Sequence, residues 1–389
     1  MKEKLLCLFA LFLPLELILF YTFGIDTQFK PYRVFLILAF ILTFIDKSII
    51  HYKSNFIFKY ILFIFTYGFS IAIIRIAFGE GELDYLTNGT THFLIGLMIF
   101  YLFSNITSTK LLYKLGVYFL IGIFISSMFG LYNYFLGANQ FFRLQGLFKN
   151  PNHLAFAVNF IMPFLFFKLE NENRKFLNFI LIIFFTVIVF LTGSRTGLLI
   201  QLFSLFFLII IFLKKNLNFI FIVFIGIISV DFVVSNLLEI NLNLLNRFNE
   251  SSYETGSGRW DIIDAAMNLG VDTFFTGVGI GQYRFYHLDY ISSTAYQTVL
   301  DFKLSTHNHF LDLLINYGFI SFLLYVIIII TFFKTFFKKR GIQFYKYLLL
   351  ILFILIVSSL SQEMFVFPLF WLMLALLTIP ILNEKSLFK

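Results

Sequence analysis

Charged residues are scarce in this chain of 389 residues, where Asp, Glu, Lys and Arg together make up 13%. A soluble domain carries about 25%. Cysteine is scarcer still: Cys7 stands alone, so there is no internal disulfide and no paired-cysteine metal or redox site. Hydrophobic residues make up 60%. These proportions exclude a soluble enzyme, a disordered chain and a disulfide-stabilised secreted domain, and they indicate a polytopic membrane protein.

Long apolar stretches run through the whole sequence, and crossing a bilayer core takes about 20 apolar residues per helix. The pattern predicts an all-α membrane protein of about twelve transmembrane helices without internal repeats. The first stretch is too long for a signal peptide and is followed by no small-residue cleavage site. The predicted spans are residues 5–24, 34–50, 56–78, 92–104, 111–136, 153–168, 176–192, 196–213, 217–235, 309–333, 344–360 and 364–382.

The loops give the predicted organisation and orientation. Residues 1–235 carry nine helices, 236–308 form a large external loop with short helices, and 309–389 carry three helices. Placing both termini in the cytoplasm puts 19 of the 29 basic residues inside, as the positive-inside rule requires. Topology therefore accounts for the net charge of +8, and nucleic acid is not an expected partner.

The basic residues of the predicted outer side differ in kind from those inside. Seven of the ten outer residues are Arg, against two of the nineteen inner ones. Topology does not distinguish Arg from Lys, whereas the planar guanidinium suits phosphate and carboxylate. We therefore expect the outer face to bind an anion. The alternative for any single Arg is a carboxylate partner in the loops or a lipid headgroup.

Several outer motifs carry these arginines. Arg143 lies in a loop that ends at Pro151, where the sixth span begins, and Arg195 lies in a short turn at the mouth of two apolar helices. An Arg near membrane depth is costly, so it should face a partner or a wet cavity. In the large loop, an amphipathic helix is predicted from Arg259 to Leu269, with Trp260, Ile263 and Met267 on one side.

Two further features complete the large loop. Gly277-Val278-Gly279-Ile280-Gly281 is weak evidence for a nucleotide site without a surrounding βαβ unit, and we interpret it as a tight turn. His307-Asn308-His309 lies where the chain re-enters the membrane. Imidazole suits proton abstraction near neutral pH, so a general base is the favoured interpretation. A helix-capping histidine and a metal site are alternatives, although no third metal ligand is evident.

Taken in order, these motifs resemble the O-antigen ligase and O-antigen polymerase superfamily of bacterial envelope proteins. The resemblance rests on the span count, the large external loop and an ordered set of motifs, and it extends over most of the chain. The matching pieces are Arg143 to Asn152, Ser194-Arg195, Gly258-Arg259-Trp260, Gly277-Val278-Gly279 and His307-Asn308. His309 departs from the commonest pattern, and His307 is the histidine that aligns.

The resemblance implies a metal-independent glycosyltransferase with a GT-C-like helical fold, no cofactor and a site on the outer side of the bacterial inner membrane. The donor would be a glycan on undecaprenyl diphosphate. A polymerase moves it to the next lipid-linked repeat unit and a ligase to lipid A-core; a polymerase has a chain-length regulator protein as a further partner. Arg195 and Arg259 would bind the diphosphate and His307 would be catalytic, with Arg143, Arg284, Asn308 and His309 as helpers.

The polymerase is the leading hypothesis and the ligase the second. A twelve-helix transporter or flippase predicts functional charges inside the spans and two-fold repetition. The sequence has few such charges (Glu16, Arg75 and Asp231) and no repetition, and a transporter leaves the large loop unexplained. A non-catalytic scaffold would tolerate the loss of His307.

Overall fold

The structure is a computed structural model, and it describes residues 1–24, 30–45, 56–136, 143–213, 259–291 and 305–382. This part of the chain is helical and contains no strand. Its helices are α1 (Lys2–Phe12), α2 (Ile18–Phe23), α3 (Pro31–Ile45), α4 (Phe56–Ala77), α5 (Leu83–Ser104), α6 (Thr109–Phe135), α7 (Pro151–Asn171), α8 (Lys175–Leu191), α9 (Arg195–Leu213), α10 (Arg259–Asp272), α11 (Tyr283–Tyr290), α12 (His309–Asn316), α13 (Gly318–Lys338), α14 (Gln343–Ser359) and α15 (Pro368–Leu382).

Helix length and composition make this a polytopic membrane protein. Among the described helices, α4, α5, α6, α7 and α13 are long and apolar enough to cross a bilayer. Five shorter apolar helices, α3, α8, α9, α14 and α15, accompany them. The helical membrane class predicted from the sequence is confirmed. The predicted span at 217–235, with Asp231, lies outside the described residues.

The first predicted span, residues 5–24, is not one helix. α1 ends at Phe12 and α2 begins only at Ile18. Pro14 lies in the break, where its missing N–H and its ring oppose a continuous helix. Glu16 lies in the same break, and its carboxylate accepts a hydrogen bond from the Lys30 ammonium. This apolar run is long enough for one membrane span, but it contains a non-helical segment that carries the charged Glu16.

The tenth predicted span, residues 309–333, is also divided. α12 ends at Asn316, and α13 begins at Gly318 and continues to Lys338. Gly318 has φ +78°, a left-handed conformation that favours glycine, and an added Cβ there would lie 2.5 Å from the Thr276 carbonyl oxygen. The helix breaks because a loop packs directly against its backbone. α12 thus precedes the membrane-crossing helix α13.

The helix at the fourth predicted span is longer than the prediction. Residues 92–104 were expected to be helical, whereas α5 begins at Leu83 and has 22 residues. Its first half carries Asp84, Thr87 and other polar residues, which lower the local hydropathy and hide the helix from an apolar-run criterion.

The helices form two compact units, each built from three separate stretches of chain. The first comprises Met1–Ile45, Ser108–Ser252 and Ile342–Ile354, and the second comprises Asp46–Thr107, Tyr253–Gly341 and Leu355–Lys389. In the first unit, α1 packs against α3 and α6, and α7 packs against α6, α8 and α9. α7 is the most enclosed of the long helices, and 72% of its apolar 18-residue stretch is buried.

In the second unit, α5 packs along α15, and α13 packs against α4 and α15. The contact between α5 and α15 is centred on Gly96, where an added Cβ would lie 2.1 Å from the Trp371 ring. The fully buried Trp371 donates its indole N–H to the Phe365 carbonyl oxygen at 2.9 Å. Phe93, Phe365 and Phe370 surround it with ring centroids 4.9–5.6 Å away.

The loop Gly277–Gly281 makes close backbone contacts within the second unit. Gly277, Gly279 and Gly281 have φ values of +97°, +101° and +73°. An added Cβ would lie 2.9 Å from the Gly318 amide nitrogen, 2.4 Å from the Cα of Ala72 and 2.7 Å from the Tyr85 carbonyl oxygen, respectively. The three glycines thus let the loop backbone contact α4, α5 and the α12–α13 break directly, which agrees with the predicted tight turn.

Gly96→Ala should destabilise the protein, because the new methyl group must displace a buried indole that is held by a hydrogen bond. Overpacking of this kind costs about 1–3 kcal/mol. We expect a lower unfolding temperature for the detergent-purified protein. The matched control is Gly341→Ala, since an added Cβ at Gly341 meets no described atom within 4 Å. Equal unfolding temperatures for the two variants would contradict the packing described for α5 and α15.

Candidate active site

Hydrogen bonds from Arg143 connect two turns of the first unit. Its Nε donates to the Thr192 carbonyl oxygen at 2.8 Å, and its Nη2 donates to Asn152 Oδ1 at 3.0 Å. Thr192 follows the last residue of α8, and Asn152 is the second residue of α7. One guanidinium therefore joins the loop before α7 to the turn that leads into α9.

Arg195 is the first residue of α9, and its side chain is exposed. Ser194 is buried before it, and its Oγ accepts a hydrogen bond from the Gly197 N–H at 3.2 Å, as an N-cap does. The positive end of the helix dipole and the Arg195 guanidinium thus lie at one exposed position. Such an arrangement suits an anion, and an anion-binding role for Arg195 stays a prediction.

The first turn of α9 is held close against α7. The buried Asn159 side chain donates to the carbonyl oxygens of Ala155 and Gly197, both at 2.9 Å. An added Cβ at Gly197 would lie only 2.6 Å from the Ala155 Cβ. Because Arg143 and Asn159 hold the turn from two sides, the backbone that carries Arg195 is fixed in position.

Two cations of the predicted outer side have carboxylate partners. The Lys30 ammonium donates to Glu16, and both side chains are nearly buried. Burial lowers the pKa of Lys30, while the Glu16 carboxylate acts in the opposite direction. Arg75 Nη1 lies 3.1 Å from Glu80 Oε2 and 3.2 Å from the Tyr286 hydroxyl. For Lys30 and Arg75, the alternative of an internal ion pair is thus the one observed.

Three helices that carry separate motifs pack together in the second unit. α10 begins at Arg259, α11 carries Arg284, and α12 follows His307 and Asn308. The Tyr283 hydroxyl donates to the Ile262 carbonyl oxygen at 3.0 Å and so joins α11 to α10. Their shared hydrophobic cluster consists of Ile262, Ala266, Leu269, Val278, Tyr283, Leu311 and Ile315. Residues up to about fifty positions apart therefore belong to one packed structure.

The buried face of α10 differs from the predicted one. Its buried apolar positions are Ile262, Ala265, Ala266 and Leu269, whereas Ile263 packs at the edge of the cluster and Met267 is 40% exposed. The amphipathic helix expected over Arg259–Leu269 is present and continues to Asp272. Its apolar face packs on the helices of its own unit.

His307 stands at the surface directly before α12. Its φ is +49°, a left-handed conformation that costs a residue with a side chain about 1–3 kcal/mol. The next residue, Asn308, fixes this geometry: its Oδ1 accepts hydrogen bonds from the N–H groups of Phe310 at 3.0 Å and Leu311 at 3.2 Å. Thr306 also donates to the Asn308 carbonyl oxygen at 3.1 Å. The exposed imidazole is thus attached to a well-anchored helix start.

His309 lies in a different environment from His307. Its side chain is fully buried, with ring centroids of Phe365, Phe370 and Tyr325 at 4.4, 5.0 and 5.1 Å. Neither of its ring nitrogens has a hydrogen-bond partner among the residues that the structure describes. The two histidines of the His-Asn-His motif therefore do not present their rings together to solvent.

A buried polar network continues from α12 towards Arg284. Asn316 donates to Asp312 Oδ1 at 2.6 Å and accepts from the Tyr283 N–H at 2.8 Å. Arg284 lies 3.3 Å from Glu363. Burial raises the pKa of Asp312 well above its ordinary value, the Glu363 charge adds to this, and Asn316 and Arg284 oppose it. Arg284 thus has a structural partner.

A comparison with known protein families finds a match in this part of the chain. Residues 179–326 match the family model of the O-antigen ligases. The match covers less than half of the chain, and over this segment the chain is similar to the O-antigen ligases. The matched segment contains Arg195, Arg259, Arg284 and His307, and Arg143 precedes it. No curated protein sequence matches the chain at the level of significant similarity.

The predicted site residues are divided between the two units. Arg143 and Arg195 belong to the first unit, and Arg259, Arg284 and the His307–His309 motif belong to the second. Within each unit the motif residues share packed elements. A common position for Arg195 and His307 stays a prediction.

Sequence reasoning assigned no role to Asp312, Asn316 and Glu363. A weak signal was available, because Asp312 and Asn316 are spaced by four in an apolar helix, and such residues share one face. Glu363 interrupts the apolar region between α14 and α15. Their connection through Tyr283 and Arg284 depends on tertiary contacts that no local pattern contains.

Asn308→Ala should destabilise the start of α12, because two backbone N–H groups lose their acceptor. Losing an N-cap costs about 1 kcal/mol. Asn308→Asp is the matched control, since its carboxylate retains the acceptor near a helix N-terminus. We expect a lower unfolding temperature for the Ala variant and a near-unchanged one for Asp. If both variants unfold together with the unmodified protein, the cap does not stabilise this element.

Proposed function

We propose that this protein is a membrane glycosyltransferase that polymerises a surface polysaccharide of the O-antigen or capsule type. It would transfer a glycan from undecaprenyl diphosphate to a hydroxyl group of the next lipid-linked repeat unit at the outer leaflet. The observation that carries the proposal is the packing of α10, α11 and α12 around one cluster, within a segment that matches the O-antigen ligase family.

In the proposed reaction, the acceptor hydroxyl oxygen attacks the anomeric carbon while the bond to the diphosphate breaks. His307 accepts the hydroxyl proton, and general-base catalysis of this kind contributes about 10²–10⁴-fold. Undecaprenyl diphosphate leaves with increased negative charge and needs no dedicated acid. The exposed position of His307 and its anchored backbone support this role.

Arg195 and Arg259 are proposed to bind the diphosphate, because fixed cations stabilise charge that develops on a leaving group. The exposure of Arg195 at the start of α9 supports its part. The helpers would act by positioning: Arg143 holds the turn before Arg195, and Asn308 holds the backbone after His307.

The other two helpers have positioning roles as well. Arg284 would order α11 through Glu363, and His309 would anchor α12 through its aromatic contacts. We propose that the reaction requires neither a cofactor nor a metal ion.

The finer topology is also part of the proposal. The five long helices, the five shorter apolar helices, the broken α1–α2 segment and the stretch at 217–235 are consistent with twelve crossings of the bacterial inner membrane. Both termini would then be cytoplasmic and the site extracytoplasmic, in a GT-C-like arrangement. The polymerase would use a chain-length regulator protein as a partner.

A ligase that transfers the glycan to lipid A-core is the second candidate, and the description of the matched family favours it. The glycan profile of a deletion strain distinguishes the two. Single repeat units on lipid A-core indicate a missing polymerase, whereas free polymer beside bare core indicates a missing ligase. Bare core without free polymer, together with lipid-linked units trapped on the cytoplasmic side, would favour the transporter alternative.

His307→Asn should abolish transfer while leaving the fold intact. Asn removes the imidazole but tolerates the left-handed backbone better than other residues with side chains. We expect an unfolding temperature at or above that of the unmodified protein and a loss of at least about 100-fold in rate. The assay with purified protein and lipid-linked donor contains a chelator, so that activity of the unmodified protein also tests metal independence. Near-normal transfer would remove the base role.

Arg195→Lys should also reduce transfer, by about 100-fold, because a point charge does not reproduce the guanidinium fork at a phosphate. Initial rates with the lipid-linked donor measure the effect. The matched control is Arg340→Lys, at an exposed Arg in the turn between α13 and α14. Full activity of the Arg195 variant would reassign this residue to lipid or structural contacts.

A further inference from the structure

A cavity of about 470 Å³ opens at the connection between α7 and α8 in the first unit. α7 has 21 residues and begins beside Arg143, so its far end lies about 30 Å away. α8 returns along α7 and leads back to Arg195. The cavity therefore lies at the opposite end of this helix pair from the proposed diphosphate site.

One cation at this cavity has a carboxylate partner and another does not. Lys168 lies 3.4 Å from Glu172, which also accepts a hydrogen bond from the Tyr113 hydroxyl at 2.5 Å. Arg174 is exposed at the N-cap of α8 and forms no ion pair with any residue that the structure describes. The guanidinium of Arg174 is thus available to a ligand.

The floor of the cavity carries an unsatisfied donor. Asn178 is 2% exposed, and its Nδ2 has no hydrogen-bond acceptor within the described part of the chain. A buried amide donor without a partner costs about 1–3 kcal/mol. A ligand with acceptor oxygens would recover this cost, and the side chain of Asn173, which also lines the cavity, adds a further amide.

The cavity also adjoins side chains suited to lipid. Leu177 and Tyr113 line it and are 49% and 39% exposed, and the adjacent Phe176 is 77% exposed. Exposed apolar residues in a membrane protein face acyl chains, and Tyr is enriched at the level of the headgroups. A polar cavity bordered in this way lies where lipid headgroups are found.

We propose that this cavity binds the phosphate of a membrane lipid headgroup. Arg174 pairs with the phosphate charge, the amide of Asn178 donates to a phosphate oxygen at the floor, and the acyl chains continue over Leu177 and Phe176. The guanidinium of Arg174 suits phosphate better than a Lys ammonium does. Such a lipid would hold the α7–α8 connection at the membrane surface opposite the proposed catalytic side.

Native mass spectrometry of the full-length protein in detergent tests the proposal. Dioleoylphosphatidylglycerol is the probe, dioleoylglycerol supplies the same chains without phosphate, and inorganic phosphate supplies the phosphate without chains. We expect retention of the phospholipid over dioleoylglycerol. Arg174→Gln and Asn178→Leu should each weaken retention about 10-fold, as expected for a lost hydrogen bond to a charged group.

Lys175→Gln is the matched control, because Lys175 is the next residue, is equally exposed and does not line the cavity. It should leave retention unchanged. Equal retention by the Arg174 and Lys175 variants overturns the proposal, as does equal retention of dioleoylglycerol. If inorganic phosphate raises the unfolding temperature through Arg174 and the phospholipid does not, a soluble phosphate ligand replaces the lipid. Retention is measured without glycan transfer, so its result is independent of the proposed activity.

Discussion

The second unit depends on the close approach of backbone segments at Gly277, Gly279 and Gly281. No side chain fits between this loop and the helices it touches, because an added Cβ would overlap backbone atoms at each of the three positions. The Val278 and Gly279 N–H groups donate to the carbonyl oxygens of Ile315 and Asn316, at the end of α12. The loop thereby holds the helix that follows His307, and its glycines do so through backbone geometry alone.

Ion pairing distinguishes among the cations of the predicted outer side. Lys30, Arg75 and Arg284 each have a carboxylate partner in their own unit, and the polar backbone around them is ordered by these pairs. Arg143 uses its guanidinium on a carbonyl oxygen and an amide. Arg195 is exposed at the start of α9, on a turn that Arg143 and Asn159 hold in place. Arginines that the sequence assigns to the same predicted side therefore make different contacts, and only the tertiary structure distinguishes them.

The sequence predicted well what depends on local composition. Apolar runs identified nearly all the described membrane helices, and the Gly-rich motif was correctly interpreted as a turn. The sequence-based predictions failed where long-range contacts determine the local structure. The break at Gly318 follows from a loop forty residues away, and the polar first half of α5 is helical because it packs within its unit. The interruption at Pro14 had a local signal that the apolar run outweighed.

The site predictions show the same division between local and long-range information. His307, Asn308 and Arg195 stand out by residue type beside apolar helices, so a chemical argument selects them as candidates. The buried face of α10 and the network from Asp312 to Tyr283 have no such signal, since they depend on which helices meet.

The enclosure of α7 has a consequence for biogenesis. Its mean hydropathy is 1.3, against 1.9 for α6 and 2.3 for α13, yet it is far more buried than either. A segment of modest hydropathy gains little from acyl chains, and its favourable contacts are with neighbouring helices. α7 should therefore leave the translocon together with α6 and α8 as a group, and the order of synthesis, which places it between them, makes those partners available at that moment.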